Sequence, residues 1–155
     1  MSVRSRRLYV GAVLLASGVA AAPLVALPAT AADGGRPLSA TLTGAAEVPK
    51  AGDPDGSGTA SVRVNAGQGQ ICVDLTVSAI APAVAAHVHE APAGTAGPIV
   101  VSLVAPTRGA SSSCVSITRQ LALEILQDPA DYYVNVHNAE YPAGALRGQL
   151  SKGKP

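Results

Sequence analysis

The run "GTASVRVNAGQGQICVDLTVSAI", residues 58–80, constrains the fold more than any other part of the chain. Successive residues of a β-strand point to opposite faces, so a strand with one buried face alternates apolar and polar side chains. Over residues 58–67, Ala60, Val62 and Val64 fall on one side and Ser61, Arg63 and Asn65 on the other. Over residues 70–80, Ile71, Val73, Leu75 and Val77 oppose Cys72, Asp74 and Thr76. "AGQGQ" between the two runs is a tight-turn signal. Two half-buried strands joined by a short turn demand an antiparallel sheet.

Similar strand signals recur along the chain. "LSATLTGAAEV" (38–48), "AAHVHEA", "GPIVVSLVA", "SCVSI", "YYVNVHN" and "ALRGQL" bring the count to about eight short strands, punctuated by Gly and Pro. The expected fold is all-β, an antiparallel Greek-key-like β-sandwich. With no Trp and no Phe in the chain, the core must be built from Ala, Val, Leu and Ile, whose small side chains suit thin sheet-on-sheet packing. One segment departs from the pattern. "TRQLALEILQDPADYY" sets Leu121, Leu123, Ile125 and Leu126 among good helix formers, with Asp128-Pro129 as a stop. The spacing predicts one short helix over residues 119–127, its apolar positions packed on the core.

The N-terminus is a different kind of sequence. "MSVRSRR" is a basic leader, "LYVGAVLLASGVAAAPLVAL" an apolar stretch, and "ATA" at Ala29 to Ala31 a small-residue cleavage site. Residues 1–31 thus read as a signal peptide, followed by a short linker (32–37), one domain (38–150) and a flexible tail (151–155). The protein is expected to be secreted or held in the cell envelope. A Sec signal is favoured, and the adjacent Arg6 and Arg7 make twin-arginine export the alternative. Nothing after residue 31 is long or apolar enough to span a bilayer, so no transmembrane anchor is expected in the mature form.

Cleavage also changes the charge. Of 11 Lys and Arg, removal of Arg4, Arg6 and Arg7 leaves 8 against 10 Asp and Glu, a formal −2. No basic run remains to track a phosphate backbone, which argues against nucleic acid as a partner. Cys72 and Cys114 both lie in the mature part of an exported chain, where a disulfide between them is the expected state.

All three histidines fall in two of the strand segments: His87 and His89 in "AAHVHEA", His137 in "YYVNVHN". Strand periodicity puts His87 and His89 on one face, about 6.6 Å apart at Cα, with Val88 on the other. Val134 and Val136 claim the aliphatic face of the later strand, leaving Asn135 and His137 opposite. Neutral imidazole is a good ligand for copper and zinc. An H-x-H pair with one histidine from a neighbouring strand makes a three-ligand site, provided the two strands pair. Otherwise the three are polar positions on an outer face. Glu90, Asn135 and Glu140 are candidates to orient the imidazoles from behind; the alternative for Glu90 and Glu140, and the favoured one, is that they are ordinary surface carboxylates. Arg147 is a candidate anion-attracting group, or else a surface cation on an edge strand. "DPDGSG", Asp53 to Gly58, has Gly and acidic residues at the wrong positions for an EF-type calcium loop and reads as a turn. Ser111 to Ser113 lack a nucleophile-elbow setting, so no catalytic residue is assigned.

"LTGAAEVP", "AAHVHEAPAGTAGPIVVSL" and "YYVNVHNAEYPAGALRGQL", in that order, resemble the CHRD domain, a module of chordin also found singly in secreted bacterial proteins. The resemblance spans Leu38 to Leu150, with Glu90 standing where a Gly usually follows the H-x-H. It implies an extracellular module and no defined chemistry. "HVHE" with a following Gly-containing loop, a later "VNVH" strand and a C-terminal Arg are also similar to copper–zinc superoxide dismutase. That resemblance implies copper on His87, His89 and His137 and a guiding role for Arg147. The chain departs from it in having no fourth histidine and no zinc-ligand loop. The expectation is an exported, non-catalytic module binding a transition metal, with copper favoured over zinc. The alternatives are a metal-independent module for an envelope or protein ligand, and a copper-dependent superoxide dismutase-like enzyme.

Overall fold

The computed structural model describes residues 34–153; the expected signal peptide lies outside them. Nine strands form: β1 (Arg36–Thr43), β2 (Ser57–Asn65), β3 (Gln70–Ser78), β4 (Ala83–Glu90), β5 (Ile99–Leu103), β6 (Ala110–Ser116), β7 (Tyr132–Asn138), β8 (Leu146–Gln149) and β9 (Ser151–Lys152). One helix, α1 (Arg119–Gln127), lies between β6 and β7. The fold is all-β with one short helix, as the periodicity predicts.

All strands belong to one antiparallel sheet in the order β5-β4-β7-β8-β1-β2-β3-β6, with β9 added alongside β1. The two halves expected of a sandwich are recognisable as β5-β4-β7-β8 and β1-β2-β3-β6, each with its own continuous pairing. They meet at a single bridge, Thr43 opposite Arg147. At the far ends of the order, β5 and β6 approach each other, and Ser111 Oγ donates to Val104 O at 2.7 Å. The sheet therefore curls into a nearly closed barrel rather than two separate layers. β1 starts at Arg36, and Ser151–Lys152 pairs with Ser39 and Leu38.

Alternation explains the interior. Leu38, Ala40 and Leu42 of β1, Ala60, Val62 and Val64 of β2, and Ile71, Val73, Leu75 and Val77 of β3 all face a common core. Val88, Val134, Val136 and Leu146 complete it from the other half. The β2–β3 turn closes Asn65 against Gln70, with Gly69 at φ +61°, a left-handed backbone that L side chains rarely adopt. α1 plugs the core with Ala122 and Ile125. It starts at Thr118, whose hydroxyl accepts the Leu121 N–H at 3.1 Å, satisfying one of the free donors of the first turn.

Cys72 faces Cys114 directly across β3 and β6, and the two form a disulfide with Cα atoms 4.0 Å apart. It fastens β6, the outermost strand of its half. Asp53 takes part in a turn, accepting the Asp55 N–H at 3.1 Å. Among the described residues no helix is long and apolar enough to cross a membrane.

Candidate metal centre

Whether the histidines share a site depends on which strands pair, and β4 lies directly beside β7. The antiparallel register sets Ala85 against His137, His87 against Asn135 and His89 against Tyr133. Val88, Val134 and Val136 are fully buried on the core side, so the alternate residues His87, His89, Asn135 and His137 share the outer face. His87 and His137 are diagonal neighbours on it, close enough for side chains to meet. Against β5, the pairing of β4 shifts by one residue between Val88 and His89. Irregularities of this kind re-aim side chains at a sheet edge.

The three imidazoles converge. His87 Nδ1 lies 3.2 Å from His137 Nε2, and one ring nitrogen from each of the three histidines falls within 4.8 Å of the others. Two nitrogens held by one metal at zinc-like bond lengths sit about 3.3 Å apart at a tetrahedral angle. The cluster can hold a metal ion.

Backbone carbonyls determine which nitrogens are free. His89 Nδ1 is 2.9 Å from Gly97 O, and His137 Nδ1 is 3.0 Å from Pro142 O. A carbonyl can only accept, so both Nδ1 atoms carry the proton and both Nε2 atoms carry the lone pair. His89 Nε2 is buried with no hydrogen-bond partner. His137 Nε2 faces His87 Nδ1, which therefore donates to it in the metal-free protein. Burial lowers the pKa of all three imidazoles, and a neighbouring histidine adds to the shift at His87 and His137. Each is thereby kept in its neutral, ligating form.

Glu90 and Glu140, the sequence candidates for orienting the rings, are both exposed. Among the described residues neither carboxylate bonds to an imidazole; that role falls to the carbonyls of Gly97 and Pro142. For Glu90 the reason is geometric, because a residue adjacent to a strand histidine cannot share its face; Glu140 lies beyond the end of β7. Asn135 does occupy the site face, 2 % exposed, where its Nδ2 donates to Glu47.

Arg147 is no surface cation. β8 lies between β7 and β1, and the side chain is 2 % exposed. Its Nη1 donates to Thr95 O at 2.8 Å and its Nη2 to Pro92 O at 3.0 Å. The guanidinium also lies 3.5 Å from the centre of the Tyr133 ring, and Tyr133 stacks on His89 at 4.8 Å. Of the two expectations for Arg147, the surface cation on an edge strand is replaced by a buried arginine engaged with backbone oxygens.

Two further residues shape this face without a sequence signal. Tyr133 read as one more strand aromatic. Glu47 reaches Asn135 across 88 residues of chain, and burial pushes its carboxyl up to about 7 against the opposing pull of Arg147. A lone Glu in an uncharged stretch, "LTGAAEVP", was its only hint.

A family model for the CHRD domain matches residues 38–150. The chain belongs to the CHRD family. No curated protein and no solved structure matches it. The matched span contains every residue of the histidine face, and the CHRD domain here presents that face between two loops. Residues 91–98 cover the His89 end and residues 139–145 the His137 end.

Proposed function

We propose that this CHRD protein is an exported, non-catalytic module that binds one transition-metal ion through His87 Nδ1, His89 Nε2 and His137 Nε2. One observation carries the reading: ring nitrogens of three neutral imidazoles meet within 4.8 Å of one another, and one of them, His89 Nε2, is buried without a partner. An orphaned buried acceptor is unfavourable in an apo protein, and a metal ion relieves it. Binding would require His87 to lose its Nδ1 proton and take one up at Nε2 by exchange with solvent, which would free the lone pairs of His87 Nδ1 and His137 Nε2 for the metal. The carbonyls behind His89 and His137 hold the rings in orientation and raise their basicity.

Copper is favoured because affinity of nitrogen sites for divalent metals peaks at Cu²⁺. Zinc is the second choice, since three histidines with an open fourth position also suit it. The chain has 3 histidines in all, so no fourth imidazole completes the ligand set, which favours binding over redox turnover. The disulfide fits an oxidising compartment outside the cytoplasm.

The test is a titration of the mature protein and of a His87→Ala/His89→Ala variant with Cu(I), Cu(II) and Zn(II). The expected result is one equivalent bound tighter than micromolar, weakened at least about 100-fold in the variant. Micromolar or weaker binding that the double substitution leaves unchanged contradicts the proposal.

A further inference from the structure

Of the three imidazoles, His89 is the one whose environment is assembled from the most distant parts of the chain. Its Nδ1–H is held by Gly97 O, and Gly97 belongs to a loop without regular structure, residues 91–98. Such a loop offers a fixed carbonyl only if something fixes the loop. The base is closed by the Glu90 N–H donating to Pro98 O at 3.1 Å. A side chain at Gly97 would overlap the Glu90 carbonyl, so this close return is open to glycine alone. The middle of the loop has no backbone partner in the sheet. It is held instead by Arg147, through Thr95 O and Pro92 O. Gln149 supports the same loop from the next site-facing position of β8, donating from Nε2 to Ala91 O at 2.7 Å.

Arg147 acts on His89 by a second route. Its guanidinium lies on the Tyr133 ring, and the Tyr133 ring is stacked on the imidazole with an interplanar angle of 10°. The Tyr133 hydroxyl in turn accepts the Gly97 N–H at 3.2 Å. Phenol, imidazole and the Gly97 peptide thus form a closed circuit, and Arg147 ties the phenol ring to Thr95 and Pro92 of the same loop. A cation over a desolvated aromatic face is held firmly, and a planar fork of donors is suited to spanning two oxygens.

We propose that Arg147 is the positioning residue for His89. By clamping the 91–98 loop and the Tyr133 ring together, it fixes His89 as the Nδ1–H tautomer and presents the Nε2 lone pair to the cluster. His137, held by Pro142 O, is independent of it. The consequence for ligand binding rests on the metal reading above; the tautomer claim does not.

The test is ring-nitrogen NMR of ¹⁵N-histidine-labelled protein at pH 8, on the wild type, Arg147→Met and Arg147→Lys, each followed by Cu(I) and Zn(II) titration. In the wild type, His89 and His137 each show a protonated Nδ1 and a bare Nε2. In both variants His89 becomes a mixture of tautomers while His137 is unchanged, and metal affinity falls about 10–100-fold. Lysine does not rescue, because one ammonium keeps the charge but cannot bridge two carbonyls while covering a ring. A generally loosened fold would disturb His137 as well, so equal loss of order at both histidines overturns the proposal. Unchanged His89 tautomers overturn it too, even if metal binds normally. A tautomer shift in a protein that binds no metal leaves the role of Arg147 standing and removes the metal reading instead. Should both variants fail to fold, Tyr133→Phe deletes only the hydroxyl that receives the Gly97 N–H. A smaller shift confined to His89 is then expected, and its absence contradicts the proposal.

Discussion

The two halves of the sheet share one core and differ on their outer faces. In β1-β2-β3-β6 the outward positions are short and open to water: Ser39, Thr41, Ser61, Thr59, Asp74 and Thr76 are all exposed. Their contacts are surface bonds, such as Thr59 to Thr76 at 3.2 Å and the pair Arg63–Asp74 at 4.0 Å. In β5-β4-β7-β8 the outward positions hold three histidines, Tyr133, Asn135 and Arg147, and loops close over them. Buried polar groups are unfavourable unless each is bonded, and this face uses carbonyls, a stacked ring and a carboxyl to meet that requirement. Among the described residues, three buried side-chain atoms of β4 and β7 remain unpartnered: His89 Nε2, Asn135 Oδ1 and Asn138 Nδ2. A sheet needs only one covered face to fold. The half that covers both is the half that holds the histidine cluster.

The sharpest way to break this contrast is to compare one strand arginine from each face, Arg147 and Arg63. Arg147→Ala is expected to lower stability by about 4 kcal/mol, because Thr95 O and Pro92 O lose a buried donor and the Tyr133 ring loses its cation. Arg63→Ala removes an exposed pair and should change stability by no more than about 0.5 kcal/mol. Urea unfolding of both variants reads the difference. Equal effects would mean that the covered face is no more committed than the open one.

The open half has its own fastening, the Cys72–Cys114 disulfide. Cys72→Ser/Cys114→Ser should cost about 3 kcal/mol, from the freedom returned to an unfolded loop of 42 residues' separation. It should leave metal affinity within about twofold, since the half it staples contributes no ligand. Thermal unfolding and metal titration of the same sample check both statements.

The smallest effect concerns Glu47, whose carboxyl burial raises to about 7 from 4.5. A folded-state pKa above the unfolded one adds stability that is complete below about pH 4.5 and is lost as pH rises through about 7. Relative to Glu47→Gln, which keeps the oxygen facing Asn135, the wild type should lose at most about 3 kcal/mol between pH 4 and pH 8. The histidines run the other way. Their pKa values are lowered by burial, so their contribution is present above the usual histidine range and lost as pH falls. Both proteins carry that term, and the difference between their pH profiles isolates Glu47. A difference that stays flat from pH 4 to pH 8 contradicts the burial of this carboxyl.

The fold was legible where the information is local. Alternation in residues 58–80 located β2, β3 and the turn between them, and the Leu/Ile spacing before Asp128-Pro129 placed α1 over the same residues, 119–127, that form it. His87, Val88 and His89 separated onto two faces as period-2 geometry requires. The pairing of β4 with β7 was not legible, because no local signal says which strand lies beside which. For the same reason the curling of the paired strands into one nearly closed sheet was not legible. Glu90 and Glu140 looked like partners of the histidines because they are close in sequence, yet the rings bond to Gly97 and Pro142. Arg147 looked like an edge cation because the place of its strand between β7 and β1 is a property of the whole topology. Glu47 depends on a contact spanning 88 residues and had no signature at all.

The central claim is that three specific nitrogens bind one metal ion together. Ring-nitrogen NMR of the wild-type protein with Cu(I) added to one equivalent tests it at the level of atoms. The account predicts that His87 Nδ1, His89 Nε2 and His137 Nε2 shift in concert and saturate at one equivalent, while His89 Nδ1 and His137 Nδ1 keep their protons. Saturation without those three shifts, or a shift confined to one histidine, would contradict it.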